Sequence, residues 1–490
     1  MIWQYSILLS VLERLRYIMF VGREKELQSL ERMYASDRFE FFIIYGQRRI
    51  GKTTLISEFI KEKSAIFMTA KEVNEQLNLQ EFTEKIEAYF HLRKNTLNFI
   101  TWEDAFIYLA DNAGDSPLLV VIDEYPYAAI ANSSLNSMLQ IAIDHHMKHK
   151  NIKLILSGSH VAFMEEKVMG SKSPLYGRRT GMIQLKPFDY YDSGKMLNCF
   201  SLEDRIRFYG VLDGIPYYLS LVDSRSSFEE NVSRLFFETD GPLFNEPELL
   251  IKQEFETPAR YNSIIEAVAR GAQKPSQIEQ ITGIERSPAS AYIRTLTDIG
   301  FLKKEIPFGE NEKKSRKGKY TLGNNMFHFW FSYVSPNFSD IQLGNGKLVF
   351  ERRVLPLLMD YIGKFIFENV CRDYLLRLNA KDKLPFIASK FGKWWGNAPV
   401  EKKQTDVDVI VADSDHSNSI ILGECKWRTD IKEVMELEKL LGKGTLFPSY
   451  SNHFYYFFLK NKFKKATKDY VMSKDNVVLV EMMDLYQLEE

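Results

Sequence analysis

The sequence predicts an α/β protein of several domains: a parallel α/β domain first, a helical and winged-helix middle, and a second α/β domain at the end. Three observations predict it. The chain has 490 residues, more than one hydrophobic core organises, and about three domains of roughly 100–200 residues follow. Near both ends, short apolar runs alternate with helical patterns, as layered α/β domains require. Between them, short helices lead into a lysine-rich hairpin.

Composition narrows the class. Hydrophobic residues make up 45% and charged residues 26%, a soluble globular balance. The formal net charge of −1 hides any local basic face, so it leaves a nucleic-acid partner open. Cys199, Cys371 and Cys425 are odd in number and far apart. Neither a disulfide framework nor a zinc pattern follows, and a reducing cytoplasmic setting fits. Residues 1–18 include a short apolar run, Ser6 to Leu12, without a basic leader and too short to span a bilayer. They read as an amphipathic extension, or as the result of an early start with Met19 as the alternative. No other segment looks transmembrane.

The first α/β domain is built around Gly46-Gln47-Arg48-Arg49-Ile50-Gly51-Lys52-Thr53, followed by Thr54. The apolar run Phe41–Tyr45 before it reads as a buried strand, and Thr54–Ile60 after it has helical spacing. Strand, glycine loop and helix N-terminus together make a phosphate cradle: glycines let backbone N–H groups close around phosphates, and the helix dipole adds to their pull. Lys52 would reach the β- and γ-phosphates, and Thr53 would hold Mg²⁺. A second strand, Leu118–Ile122, delivers Asp123 and Glu124 at its C-terminal end, where an α/β sheet places its ligand. Asp123 suits the Mg²⁺ shell, and Glu124 the orientation of an attacking water. Further strands are expected at Ser64–Thr69 and Ile152–Leu156, with helices around Leu79–His91 and Trp102–Asn112. Ser157-Gly158-Ser159 offers small hydroxyls at a strand end. Arg178 and Arg179 offer permanent planar cations for phosphate charge, in cis or in trans.

Four stretches, Phe20–Leu27, Gly46–Thr54, Val120–Tyr127 and Gly214-Ile215-Pro216, together resemble the archaeal-type ATPases among the STAND and AAA-like P-loop proteins. The resemblance covers roughly residues 20–240. It implies ATP and Mg²⁺ as cofactors, an entry motif at Phe20–Leu27 beside the adenine, and a Gly-x-Pro motif near the base. It leaves assembly into a homo-oligomer on ATP binding open.

In the middle, residues 250–325, helical segments at Tyr261–Arg270 and Lys274–Gly283 precede a third. Ser287 and Pro288 suit its N-cap and first position. Strands at Phe301–Glu305 and Tyr320–Leu322 flank Lys313-Lys314-Ser315-Arg316-Lys317-Gly318-Lys319. Three helices and a basic hairpin are the parts of a winged helix, and the basic tip suits the phosphates of double-stranded DNA. The same module also serves as an internal linker.

In the last domain, residues 326–490, the aromatic block Met326–Phe331 reads as core. Asp406 and Asp408 alternate on one strand, and Glu424 and Lys426 on another, so each pair shares a face. If those strands are neighbours, Asp408 and Glu424 would hold Mg²⁺ and Lys426 would help activate a water. Glu368 sits on a preceding helix. This arrangement resembles the PD-(D/E)XK nucleases, with Glu368, Asp408, Glu424 and Lys426 at the matching positions, and implies a restriction-endonuclease-like fold. With its Gly-x-Trp-Trp and Gly-Glu-Cys-Lys-Trp elements, the segment also looks like the uncharacterised domain often fused to archaeal-type ATPases. The reading is an ATP-hydrolysing switch, its domain spanning residues 19–240, coupled to a winged helix and a nuclease-like domain acting on DNA. The alternatives are a non-catalytic ATP-dependent DNA-binding regulator, or an assembly scaffold with a degenerate nuclease fold.

Overall fold

The computed structural model describes residues 20–255, 257–311, 315, 317–397, 403–413 and 418–487. The N-terminal extension, and Lys313, Lys314 and Arg316 of the basic hairpin, lie outside the described residues. Two compact units divide the chain. One runs to Pro187 and includes Ile215–Tyr217; the other comprises Phe188–Gly214 and the residues from Tyr218 onward.

The first unit is a five-stranded parallel sheet. Its strands are β1 (Glu40–Tyr45), β2 (Ala65–Thr69), β3 (Leu118–Asp123), β4 (Ile152–Gly158) and β5 (Gly181–Gln184), in the spatial order β2-β3-β4-β1-β5. Helices on the faces of a parallel sheet bury both sides of its strands, which is why β1, β3 and β4 read as unbroken apolar runs and are buried throughout. Glu40, Asp123 and Lys153 are the charged exceptions, and the Lys153 ammonium is held by Ser36 Oγ at 2.8 Å and the Arg38 carbonyl at 2.5 Å. The connecting helices include α1 (Glu24–Tyr34), α2 (Lys52–Ile60), α3 (Glu75–Tyr89) and α4 (Trp102–Asp111). Helix α3 starts four residues before the expected Leu79 because Asn74 caps it, accepting from Leu77 N. A capping box of Thr101 and Asp104 opens α4.

The second unit begins with helices that the sequence reading grouped with the first. Helices α5 (Leu202–Leu212) and α6 (Phe228–Phe236) lie beyond the boundary at Pro187. Their partners explain the difference. Tyr361 Oη donates to the Gly210 carbonyl at 3.0 Å, Trp330 Nε1 to the Phe244 carbonyl at 2.7 Å, and Phe236 packs on Phe329. A Cβ on Gly210 would stand 2.5 Å from Ile362 Cδ1, so glycine is what permits that approach. The aromatic block is core: Met326, Phe327, Phe329, Trp330 and Phe331 are buried.

Three helices follow: α7 (Pro258–Ala269), α8 (Pro275–Thr282) and α9 (Arg286–Asp298). An antiparallel pair, β6 (Leu302–Glu305) and β7 (Lys319–Leu322), comes next. Gly283 (φ 67°) and Gly300 (φ 86°) end α8 and α9 in the left-handed conformation that glycine favours. Glu285, not Ser287, is the N-cap of α9, so Pro288 falls inside the first turn, where its missing N–H is still harmless.

The chain then forms α10 (Phe367–Ala380), the strands β8 (Lys390–Asn397), β9 (Gln404–Ala412) and β10 (Ser419–Lys426), α11 (Glu433–Gly442), β11 (Asn452–Leu459), α12 (Lys465–Val471) and β12 (Val477–Glu481). The sheet order is β12-β11-β10-β9-β8. β8, β9 and β10 are antiparallel neighbours, whereas β10, β11 and β12 run parallel. Leu437 and Leu440 of α11 pack onto Ile410, Ile420, Leu422 and Phe457.

Candidate functional site

The loop Gly46–Gly51 bridges the end of β1 and the start of α2. Gly46 (φ 152°) leaves no room for a side chain: a Cβ would meet the Leu185 carbonyl oxygen at 2.4 Å and Ile50 Cδ1 at 2.5 Å. Gly51 (φ 86°) turns the chain into α2. Inside the loop, Lys52 is buried and donates from Nζ to the carbonyls of Gly46 (3.0 Å) and Gln47 (2.9 Å). Thr53, the next residue, donates from Oγ1 to Asp123 Oδ2 at 2.7 Å. The cradle residues and the acid from β3 are therefore brought together, although β4 separates β1 from β3.

Glu124 follows Asp123 in the left-handed region (φ 50°). Its Oε2 accepts from Ser159 Oγ at 2.7 Å and Ser159 N at 3.2 Å. Ser159 thus holds the glutamate, while Ser157 Oγ is buried without a hydrogen-bond partner among the described residues. The backbone of Arg178 and Arg179 stands at the far end of β1 from the loop, because Gly181 pairs with Phe42. Arg178 is committed to Asp144 at 2.6 Å, and Arg179 reaches the Met169 carbonyl at 3.5 Å.

Several loop contacts escaped the sequence reading. Arg23, in the entry motif, donates to the carbonyls of Ile50 (3.3 Å) and Lys186 (2.7 Å). Arg48 donates to Tyr127 Oη at 3.1 Å. The Arg49 guanidinium lies 4.8 Å from the Tyr217 ring centre, and Pro216 is 3.9 Å from where a Gly51 Cβ would be. The resemblance puts the Gly-x-Pro motif near the base and not against the phosphate loop, and nothing local signals any of these contacts.

The second cluster lies in the C-terminal sheet. The β9–β10 register pairs Val409 with Gly423, and one step further sets Asp408 level with Glu424. Asp408 Oδ2 accepts from Cys425 N at 2.8 Å. Lys426 Nζ is 2.5 Å from Glu424 Oε1, and Lys443 Nζ is 2.6 Å from Oε2. Burial and the Glu424 charge push the Asp408 carboxyl up to about 7. Burial, with Asp408 nearby, pushes Glu368 up to about 8. Asp406 is exposed on the same strand. The four expected residues share one neighbourhood, but Lys426 and Lys443 occupy both oxygens of Glu424. Among the described residues, no three His, Cys, Asp or Glu side chains are arranged to hold a metal ion. Lys443 comes from the turn after α11, and its distance along the chain from Glu424 hid it.

Residues 20–222 match an ATPase domain described as predominantly from Archaea. Residues 330–438 match a family of archaeal and bacterial proteins of unknown function. An uncharacterized protein of Methanocaldococcus jannaschii is 33% identical over 416 residues, 85% of this chain and 89% of that protein. The chain belongs to the family of ATPases found predominantly in Archaea. An uncharacterized ATP-binding protein of the same organism is 46% identical over 46 residues, 9% of this chain and 78% of that protein. Among solved structures, the ORC2 protein of Aeropyrum pernix aligns with a TM-score of 0.42 at 14% identity, over 67% of this chain and 97% of that one. Cdc6p of Pyrobaculum aerophilum aligns at 0.31 and 12%, over 66% and 97%. No helix among the described residues of this chain is long and apolar enough to cross a membrane.

Proposed function

We propose that the first unit binds and hydrolyses Mg²⁺-ATP, and that the chain is a nucleotide-dependent switch. The observation that carries this is the 2.7 Å contact between Thr53 Oγ1 and Asp123 Oδ2 beside a lysine folded into its own loop. A hydroxyl and a carboxylate meeting at the mouth of a phosphate cradle are the oxygen donors a magnesium ion takes. When bound, that ion would offset charge on the β- and γ-phosphates. Lys52 exchanges its two carbonyl partners for phosphate oxygens, the loop N–H groups from Gln47 to Thr53 close around them, and Arg23 braces the loop at Ile50. Glu124 orients the attacking water and takes its proton, while Ser159 sets the position of its carboxylate. A nucleotide titration of Lys52→Ala tests the assignment. Binding should be lost, because the variant removes the positive charge placed against the phosphates; a folded variant with parental affinity would exclude the site.

A second reading is favoured by the register of β9 and β10. We propose that the C-terminal domain is nuclease-like and acts on the phosphodiester bonds of DNA. Its support is the order helix, three antiparallel strands, helix, parallel strand, together with Asp408 level with Glu424 and Lys426 two residues on. The carboxylates are the oxygen donors a divalent metal would use, and Lys426 would hold the attacking water. Lys443 must then release Glu424, so metal binding and opening of that ion pair go together. The helices α7–α9 with β6 and β7 have the element order of a winged helix, which would deliver the DNA. Metal-dependent cleavage of duplex DNA that disappears in Asp408→Ala supports this reading; a folded protein inert with Mg²⁺ and Mn²⁺ leaves a degenerate nuclease fold in a regulator or scaffold.

A further inference from the structure

The side chains around Asp408 are more cationic than its acid neighbours suggest. A cavity of about 200 Å³ is walled by Lys303 and Glu305 of β6, Glu368 and Arg372 of α10, Lys393 of β8 and Asp408 of β9. β6 reaches this domain through Phe308, whose N–H donates to the Lys393 carbonyl at 2.8 Å and whose ring packs against Phe447. Glu305 lies between two lysines, 2.7 Å from Lys393 Nζ and 3.4 Å from Lys303 Nζ, with its side chain 13% exposed. Burial alone would raise its carboxyl, but Lys393 and Lys303 outweigh burial and hold it below the ordinary range.

A carboxylate gripped by two ammonium groups within a cavity has the charge pattern of a bound phosphate. We propose that this cavity seats a phosphodiester of a nucleic-acid strand, that Lys303 and Lys393 contact it, and that Glu305 fills the seat until a strand displaces it. The proposal rests on the reading of Asp408 and Glu424 as a phosphodiester site and adds the residues that hold the substrate there. One of them, Lys303, comes from the hairpin module and not from the domain that carries the acids, as does the displaced Glu305. The chemistry is exchange of one anion for another. Lys303, Lys393 and Arg372 repel one another when no anion lies among them, so an internal carboxylate stabilises the unliganded form. A phosphate group, with more acceptor oxygens, then takes its place. If the ion pairs served only to tie β6 to β8, removing the Glu305 charge would lower stability and leave anion affinity unchanged.

The test is binding of a fluorescent single-stranded oligonucleotide to the full chain in EDTA, followed by anisotropy across a salt series. Glu305→Gln keeps shape and removes the competing charge. Its affinity should rise about three- to tenfold, the scale of one or two lysine contacts in high dielectric. The salt dependence should steepen by about 0.7 per lysine released to phosphate. Adding Lys393→Gln to that variant should cancel the gain. Affinity that stays at the parental value or falls in Glu305→Gln, with thermal unfolding like the parent, overturns the proposal. Should Glu305→Gln prove unstable, Lys303→Gln with Lys393→Gln in the parent decides instead: weakened binding supports the seat and parental binding overturns it. Displacement of the strand by inorganic phosphate at equal concentration would give the seat to a free anion and overturn the nucleic-acid assignment. No cleavage occurs in EDTA, so a failed nuclease assay with metal would remove the catalytic reading and leave this result standing.

Discussion

At Gly46, backbone geometry and ligand chemistry make the same demand. A φ of 152° and a Leu185 carbonyl 2.4 Å from any Cβ exclude a side chain, so only glycine lets the loop leave β1 along this path. Gly46→Ala should lower stability by about 1–3 kcal/mol and abolish nucleotide binding, as read by urea unfolding and nucleotide titration. An alanine variant with parental stability would mean that the loop relaxes easily. Glu124 makes a different demand, for charge. Glu124→Gln keeps the side chain's shape and its contact with Ser159 but loses the basic oxygen. It should bind ATP like the parent while single-turnover hydrolysis falls about 10²–10⁴-fold. A parental rate would move the base elsewhere.

Among the elements, β9, β10 and α10 converge to bury acids at a stability cost. Asp408 and Glu368 are raised to about 7 and about 8, so in the folded protein they keep protons that the unfolded chain has already lost. Between the ordinary carboxylate range near 4 and about 8, the folded state therefore binds more protons, and stability falls as pH rises. Above both values the slope vanishes. The denaturation midpoint of the metal-free protein should thus drop from about pH 5 to about pH 8. Asp408→Asn should flatten that drop and be more stable than the parent at the upper end. A variant with the parental slope would place the titration on other groups, such as buried Asp213 or Asp373, each raised to about 6 by burial first. Divalent metal, competing with those protons, should bind more tightly as pH rises through the same window.

For the whole molecule, the chain path bears on coupling. Ile215–Tyr217 belongs to the nucleotide unit, whereas the residues on either side belong to the other unit. Pro216 lies beside Gly51, and Tyr217 N donates to the Arg49 carbonyl at 3.4 Å. The phosphate loop thus contacts a segment that continues along the chain toward α5 on one side and α6 on the other. If ATP switches the C-terminal module, ATP should alter the affinity of the full chain for DNA, and Lys52→Ala should erase that effect while leaving ATP-free affinity at the parental level. An ATP effect that survives in Lys52→Ala would sever the proposed link.

Much of the fold is legible in the sequence because it is local. The phosphate loop with its flanking strand and helix, the buried strand ending in Asp123, and the alternation on β9 and β10 depend on residues a few positions apart, which see each other through backbone geometry whatever the rest of the chain does. Thr101 and Gly283 mark helix ends for the same reason. Tertiary structure alone decided that β4 inserts between β1 and β3, that Ser159 holds Glu124, and that α5 and α6 pack with the aromatic block. It also placed Lys443 on Glu424, and Lys393 on Glu305. Each of these pairs groups distant in the chain or on separate elements, and a sequence pattern carries no distance between them. Only the packing of apolar faces fixes which elements become neighbours, and with them which charges must find partners.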